Sequence, residues 1–174
     1  MELEIKAKVD DLSPVLKRLQ EINAKLTKTS SQKDVYFSPP GKNFAGTRKY
    51  YLRIRFGAEA SFDYHIVHSD IETEEHEVKI QNPEKMKEIL VSLGFKIDCT
   101  VEKERSVYET EQFFIMVDKV NGLGNFVEIE AKTDKVFIND IFKMMETLNL
   151  RREELVKGMG YPDMIMEKNK TRYF

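Results

Sequence analysis

The sequence predicts an α+β fold: an antiparallel sheet of about eight strands closed into a barrel, with a polar interior and helices on the outside. Three observations predict it. Short segments alternate charged and apolar residues with period two, as strands with one apolar face do. Three segments repeat apolar residues at helical spacing. And the pattern Glu-x-Glu-x-Lys recurs, as ELEIK at 2–6, EHEVK at 75–79 and EIEAK at 128–132.

The elements follow in chain order. ELEIKAKV opens the chain with Glu2, Glu4, Lys6 and Lys8 on one face and Leu3, Ile5, Ala7 and Val9 on the other. Ser13-Pro14 reads as a helix N-cap followed by proline at the first helical position, and Val15, Leu16, Leu19 and Ile22 carry that helix to about Lys25. VYF (35–37), YYLRIRF (50–56), SFDYHIV (61–67) and EEHEVKI (74–80) read as strands. SPPGKNFAG (38–46) is a loop, because Pro, Gly, Ser and Asn cluster there. A second helix opens after Asn82 at Pro83, carries Met86, Ile89, Leu90 and Leu93, and stops at Gly94. TVEKERSVYE (100–109), FFIMVDKV (113–120) and NFVEIEAK (125–132) are strands, with NGLG (121–124) as the turn between the last two. A third helix runs from about Asn139 through Ile141, Phe142, Met145 and Leu148. Arg152 to Lys157 and YPDMIMEK make shorter helical pieces.

No linker-like or low-complexity stretch divides the 174 residues, so residues 1–174 are expected to form a single domain. The recurrence of an acidic strand, a helix and then a basic strand suggests two related halves. Basic and acidic residues nearly balance, 28 against 30, which argues against a nucleic-acid partner. No apolar run approaches a membrane span, and no leader-like segment precedes the first strand. A cytoplasmic protein is the expectation. Cys99 is the one cysteine, so no intrachain disulfide forms, and a spectator role is expected for it.

A single Glu-x-Glu-x-Lys strand is usually a solvated face. Three copies, together with Arg53/Arg55 and Lys103/Arg105 at the same spacing of two, put carboxylates and cations on one face of one sheet. Closed into a barrel, that face points inward, and its charges need water or ions. Carboxylate pairs suit hard divalent cations such as Mg2+. Arginine forks match phosphate oxygens two at a time. Together they point to a polyphosphate held by side chains. No Gly-x-x-x-x-Gly-Lys-Ser/Thr phosphate loop occurs in the chain, and NGLGNF is better explained as a turn between strands.

The residues that carry these patterns resemble the CYTH superfamily, the triphosphate tunnel metalloenzymes. The matching stretches are ELEIK, QKDVYF (32–37), NFAGTRKYYLRIR (43–55), VEKERSVY, VDKVNGLGNFVEIE (117–130) and GYPDMIMEK, in family order over almost the whole chain. The wording is most similar to the class IV adenylyl cyclase branch. The resemblance implies an eight-stranded tunnel and a role for each position. Glu2 and Glu4 face a metal, Mg2+ or Mn2+, with Glu128 and Glu130 opposite and Asp118 near them. Arg53, Arg55, Lys103 and Arg105 hold phosphates. Lys6 contacts phosphate or orients an acidic neighbour, and Glu75 and Glu77 line the tunnel. One position departs from the pattern: His65, in FDYHIVH, stands where the family usually has a lysine, replacing a full charge with an imidazole. His68 and His76 are expected at the surface.

The function implied is a divalent-metal-dependent enzyme acting on a nucleoside triphosphate, cyclising ATP to cyclic AMP and pyrophosphate. The same residue types serve an inorganic or thiamine triphosphatase, or a non-catalytic nucleotide- or polyphosphate-binding module. Tyr50, Tyr51 and Phe44 are candidates to stack on a base, with core packing the alternative. Phe142, Met144, Met145, Met164 and Met166 offer a homodimer contact or ordinary core.

Overall fold

The computed structural model describes residues 2–41 and 50–171. The loop expected at 38–46 and Phe44 therefore lie largely outside the described residues. The order is β1 (Glu2–Val9), α1 (Ser13–Glu21), β2 (Lys25–Ser38), β3 (Tyr50–Phe56), β4 (Ser61–Val67), β5 (Glu72–Lys79), α2 (Pro83–Ser92), β6 (Lys96–Glu109), β7 (Phe113–Val120), β8 (Gly124–Ala131), α3 (Ile138–Thr147), a 3-10 turn (Arg152–Glu154) and α4 (Tyr161–Thr171). Among the described residues, eight strands, antiparallel in every registered pair, and four helices make an α+β fold. It packs as two compact units.

The first unit holds residues 1–30, 70–72 and 103–157. Here β8 pairs with β1 and β7, and β7 pairs with the C-terminal part of β6. Period-two alternation sends Ile5, Ala7 and Val9, Ile115 and Val117, and Val127 and Ile129 to one face. That face buries Val15 and Leu19 of α1 and Ile141 and Met145 of α3 in one cluster. Each such side chain contributes about 1.5–3 kcal/mol by leaving water. Beyond β8, the other edge of β1 is also taken: the Glu4 N–H donates to the Ile71 carbonyl at 3.0 Å, and the Val156 N–H donates to the Lys6 carbonyl at 2.8 Å.

The expected helix ends differ, for local reasons. Leu12, rather than Ser13, is the N-cap of α1, and the Asp11 carboxylate before it accepts from the Ser13 N–H at 2.9 Å and the Ser13 hydroxyl at 2.8 Å. The helix stops at Glu21, short of Lys25, because Asn23 takes a left-handed conformation, φ 55°. The Ala24 N–H then returns to the Leu19 carbonyl at 2.9 Å. Asn149, φ 59°, ends α3 the same way. Arg18 donates from Nε to the Thr147 carbonyl at 2.8 Å, placing a cation where that helix leaves its carbonyls unpaired.

The second unit holds residues 31–69, 73–102 and 158–174. Within it β3 pairs with β2 and β4, and β4 pairs with β5. Val35, Phe37, Ile54 and Leu90 form its core, with Leu52, Phe62 and Met86 packed against them. The α2 helix is capped by the Asn82 side chain, which accepts from the Lys85 N–H at 2.8 Å. Gly94, φ 88°, ends it, and a Cβ there would stand 3.2 Å from Cγ of Pro40. Cys99 is buried, its Sγ 3.8 Å from the Pro162 carbonyl oxygen.

Two strands are longer than expected. The β2 strand begins at Lys25, ten residues before the expected Val35, and β6 begins at Lys96 rather than Thr100. The early part of β2, KLTKTSSQKD, has no apolar face to signal a strand. It is held instead by polar contacts, such as the Thr27 hydroxyl donating to the Val107 carbonyl at 3.3 Å.

Candidate active site

In the first unit, β1, β8, β7 and β6 turn a second face away from the core. Antiparallel register puts directly opposed residues on the same face. Glu4 stands opposite Glu130, Lys6 opposite Glu128, and Arg105 opposite Asp118. Lys6 Nζ lies 3.2 Å from Glu128 Oε1. Arg105 donates from Nε to Asp118 Oδ1 at 2.7 Å and from Nη2 to Asp118 Oδ2 at 2.5 Å, and it also bonds Glu128. Lys103 Nζ lies 3.4 Å from Asp118 Oδ2. Asp118, Glu128 and Lys103 are all buried. Glu2 and Glu130 are half-buried at the end of the same row. The face is not wholly charged: Met116 and Phe126, opposite Glu128 and Asp118, are buried on it.

The two central carboxyls are driven apart electrically. Burial raises the Glu4 pKa, and the neighbouring Glu128 charge adds to the rise. Burial would raise Glu128 too, but Arg105, Lys6 and Lys103 together hold it well below the usual carboxylate range. Burial would likewise depress Lys6, yet Glu128 and Glu4 raise it above its usual value. The two carboxyls are thus shifted in opposite directions, Glu128 down beside its three cations and Glu4 up.

In the second unit the corresponding face of β2, β3, β4 and β5 carries both strand-three arginines. Arg55 is gripped by Asp34, and Arg53 donates from Nε to Asp63 Oδ2 at 2.7 Å and from Nη2 to Glu75 Oε1 at 3.2 Å. Tyr51, His65 and Glu75 form one cross-strand rung. His65 Nε2 is 3.3 Å from Glu75 Oε1. Burial, then the charges of Arg53 and Arg55, push the His65 pKa down to about 3, so its ring is neutral at pH 7. Burial first, and then Asp34, raises the Tyr36 pKa. Burial and the hydrogen bond to Asp163 raise that of Tyr51.

Of the residues singled out in the sequence, Glu4, Lys6, Lys103, Arg105, Asp118 and Glu128 come together in the first unit, with Glu2 and Glu130 in their row. Arg53, Arg55, His65 and Glu75 come together in the second. Glu77 does not join them: it stands opposite Asp63 in register but is exposed. His68 and His76 lie at the surface, both beside Glu74, at 3.2 and 3.0 Å. Tyr51 is committed to a contact of another kind, its hydroxyl donating to Asp163 Oδ2 at 2.5 Å. Tyr50 packs near Tyr64, ring centroids 5.7 Å apart.

The sequence reading assigned no role to Asp34 or Asp63, yet these buried carboxylates hold the two arginines. A signal was present: Asp34 lies two residues before Tyr36 and Asp63 two before His65, on the period of the charged faces.

The CYTH domain matches residues 1–158 of the chain. The Methanocaldococcus jannaschii protein MJ0240, provisionally named an adenylate cyclase, is 32% identical over 168 residues, covering 90% of this chain and 94% of its own. The structure of PH1012 from Pyrococcus horikoshii superposes with a TM-score of 0.83 at 25% identity, covering 94% of this chain and 98% of that one. The Hippeastrum protein HpAC1, an adenylyl cyclase candidate described as revealing a dominant triphosphatase activity, shares the fold at a TM-score of 0.66 and 17% identity, covering 97% and 96% of the two chains.

Proposed function

The chain belongs to the CYTH domain family, and from that premise we propose that it is a divalent-metal-dependent enzyme acting on a triphosphate, and specifically an adenylyl cyclase-like phosphorus–oxygen lyase that converts ATP to cyclic AMP and pyrophosphate. The observation that carries this reading is the buried row Glu4, Lys6, Glu128, Arg105 and Asp118. The name of MJ0240 favours the cyclase over other reactions of a triphosphate.

The donor chemistry fits a hard cation. Glu2, Glu4, Asp118, Glu128 and Glu130 share the first unit's charged face with Lys6, Lys8, Lys103 and Arg105, and carboxylate oxygens are the donors a hard cation takes. Glu2, Glu4, Glu128 and Glu130 would hold Mg2+ or Mn2+. When bound, the ion lowers the pKa of an attacking hydroxyl and offsets charge on the departing phosphate.

The chain's own groups do the rest. Arg53, Arg55, Lys103 and Arg105 bind phosphate oxygens and stabilise charge on the reacting phosphorus. Asp34 and Asp63 fix the planes of two guanidiniums, and Asp118 fixes a third; these are positioning residues. Lys6 holds Glu128 ionised and oriented. Burial of the row excludes water, which strengthens each of these interactions.

A second reading is supported by what is said of HpAC1: the same residues serve hydrolysis, with water attacking the terminal phosphorus. One assay separates them. The protein is incubated with ATP, and separately with inorganic and thiamine triphosphate, with Mg2+ or Mn2+, and products are resolved by phosphorus NMR. Cyclic AMP with pyrophosphate is the expected result. Orthophosphate selects the hydrolase, and tight binding without turnover overturns both in favour of a binding module.

A further inference from the structure

We propose that Asp63, His65 and Glu75 form a second, separate site for a divalent cation of borderline softness, Zn2+ or Co2+ in preference to Mg2+. These residues lie on one face of β4 and β5, with His65 directly opposite Glu75 and Asp63 two residues from His65. One ligand atom from each lies within 4.8 Å of the other two.

Two polar atoms here are buried without a hydrogen-bond partner: Oδ1 of Asp63, a residue 0% exposed, and Nε2 of His65. A buried polar atom left this way costs roughly 1–3 kcal/mol, so two in one cluster point to a ligand that satisfies both. Nε2 of His65 meets Glu75 Oε1 at 3.3 Å without hydrogen-bond geometry. Two ligands of a tetrahedral zinc ion, each about 2.0–2.1 Å from the metal, stand about 3.4 Å apart. The contact is close to that separation.

The other oxygen of Asp63 is already fixed. Oδ2 accepts from Arg53 Nε at 2.7 Å and from the Ser61 hydroxyl at 3.1 Å. Such outer contacts orient a ligating carboxylate, and here they leave Oδ1 for the ion. Arg53 also donates to Glu75 at 3.2 Å, so one guanidinium braces both acidic ligands. The imidazole sets the selectivity, because nitrogen donors favour Zn2+ and Co2+ over Mg2+, which prefers oxygen and water. The acidic row of the first unit has no histidine and would not discriminate this way.

The experiment needs no turnover, so its failure and the failure of the triphosphate reading are distinguishable. The chain has three histidines, of which His68 and His76 sit beside Glu74. Untagged H68Q/H76Q protein therefore carries His65 as its sole imidazole. Zn2+ and Co2+ are added to this protein, followed by calorimetry, by imidazole nitrogen NMR and, for Co2+, by visible absorption; Mg2+ is the comparison. The expected result is a Zn2+-induced shift of the one imidazole, Co2+ absorption of a four-coordinate site, and no such response to Mg2+. Adding His65→Ala weakens Zn2+ affinity at least ~10-fold, whereas adding Glu4→Gln leaves it unchanged. An imidazole unmoved by Zn2+ overturns the proposal, and that readout comes from the H68Q/H76Q protein itself, whatever the further variants do to folding. Affinity lost with Glu4→Gln and retained with His65→Ala also overturns it, placing the ion in the acidic row.

Discussion

Asp34 holds Arg55 through two parallel hydrogen bonds, both 2.8 Å, from a carboxylate only 1% exposed. The pair is a fork-on-fork contact, which fixes the guanidinium plane as well as its position. Asp34 Oδ2 also lies 3.7 Å from Arg53 Nη1, so replacing Asp34 strips a counter-charge from two guanidiniums. Asp34→Asn is expected to cost roughly 3–5 kcal/mol of stability, and the D34N/R55M double variant less than the sum of its parts. Urea denaturation of the four proteins measures this, and strictly additive losses would show that the pair is not coupled.

Glu4 offers the opposite behaviour. Its ionisation is opposed by burial and by the Glu128 charge. Glu4→Gln removes that repulsion, so its melting temperature is expected to equal or exceed that of the parent. Turnover of any triphosphate should nevertheless fall roughly 100-fold, as for loss of a metal-site carboxylate. A variant that turned over at the full rate would sink the shared metal-site reading.

Tyr36 and Tyr51 predict the alkaline limit of stability. Both phenols are held neutral in the fold, with pKa values raised above the ordinary value of 10.0. Above pH 10 the unfolded chain releases these protons while the folded chain keeps them. Stability contributed by the two groups is therefore present below pH 10 and lost as pH rises beyond it. Ultraviolet titration should show Tyr36 and Tyr51 ionising late, and Tyr51→Phe should remove one late group. A titration that Tyr51→Phe leaves unchanged would contradict the buried environment.

Leu19 tests the core apart from the site. It is fully buried in the cluster shared by β1, α1, β8 and α3. Leu19→Ala should cost about 2–5 kcal/mol through lost burial and the cavity left behind. Because no charged group of either row is touched, KM measured well below the melting temperature should not move. A changed KM with little loss of stability would refute that separation.

The charged faces were legible in the sequence because strand geometry is strictly periodic. Glu4, Lys6, Arg53, Arg55, Lys103, Arg105 and Glu128 all fall on the expected side. The polar start of β2 was not legible, since Lys25 to Asp34 offers no apolar alternation and is ordered by its neighbours. Ser13 is the first residue of α1 rather than its cap, which falls on Leu12, a shift of one residue at a helix end. Glu77 had the right spacing but too little cover: only neighbouring elements decide whether a residue on the charged face is buried.

By itself, the sequence determined which residues share a face, because that depends on a backbone period each strand carries alone. Pairing belongs to the tertiary structure. Asp34 and Arg55, Arg53 and Asp63, and Lys6 and Glu128 are joined by cross-strand register, which long-range contacts set. The same register gave His65 its neighbours Asp63 and Glu75, turning one departure from a familiar pattern into a cluster with a chemistry of its own. Burial and the charges packed beside each carboxyl then moved Glu4 and Glu128 in opposite directions, since both effects depend on everything around the group.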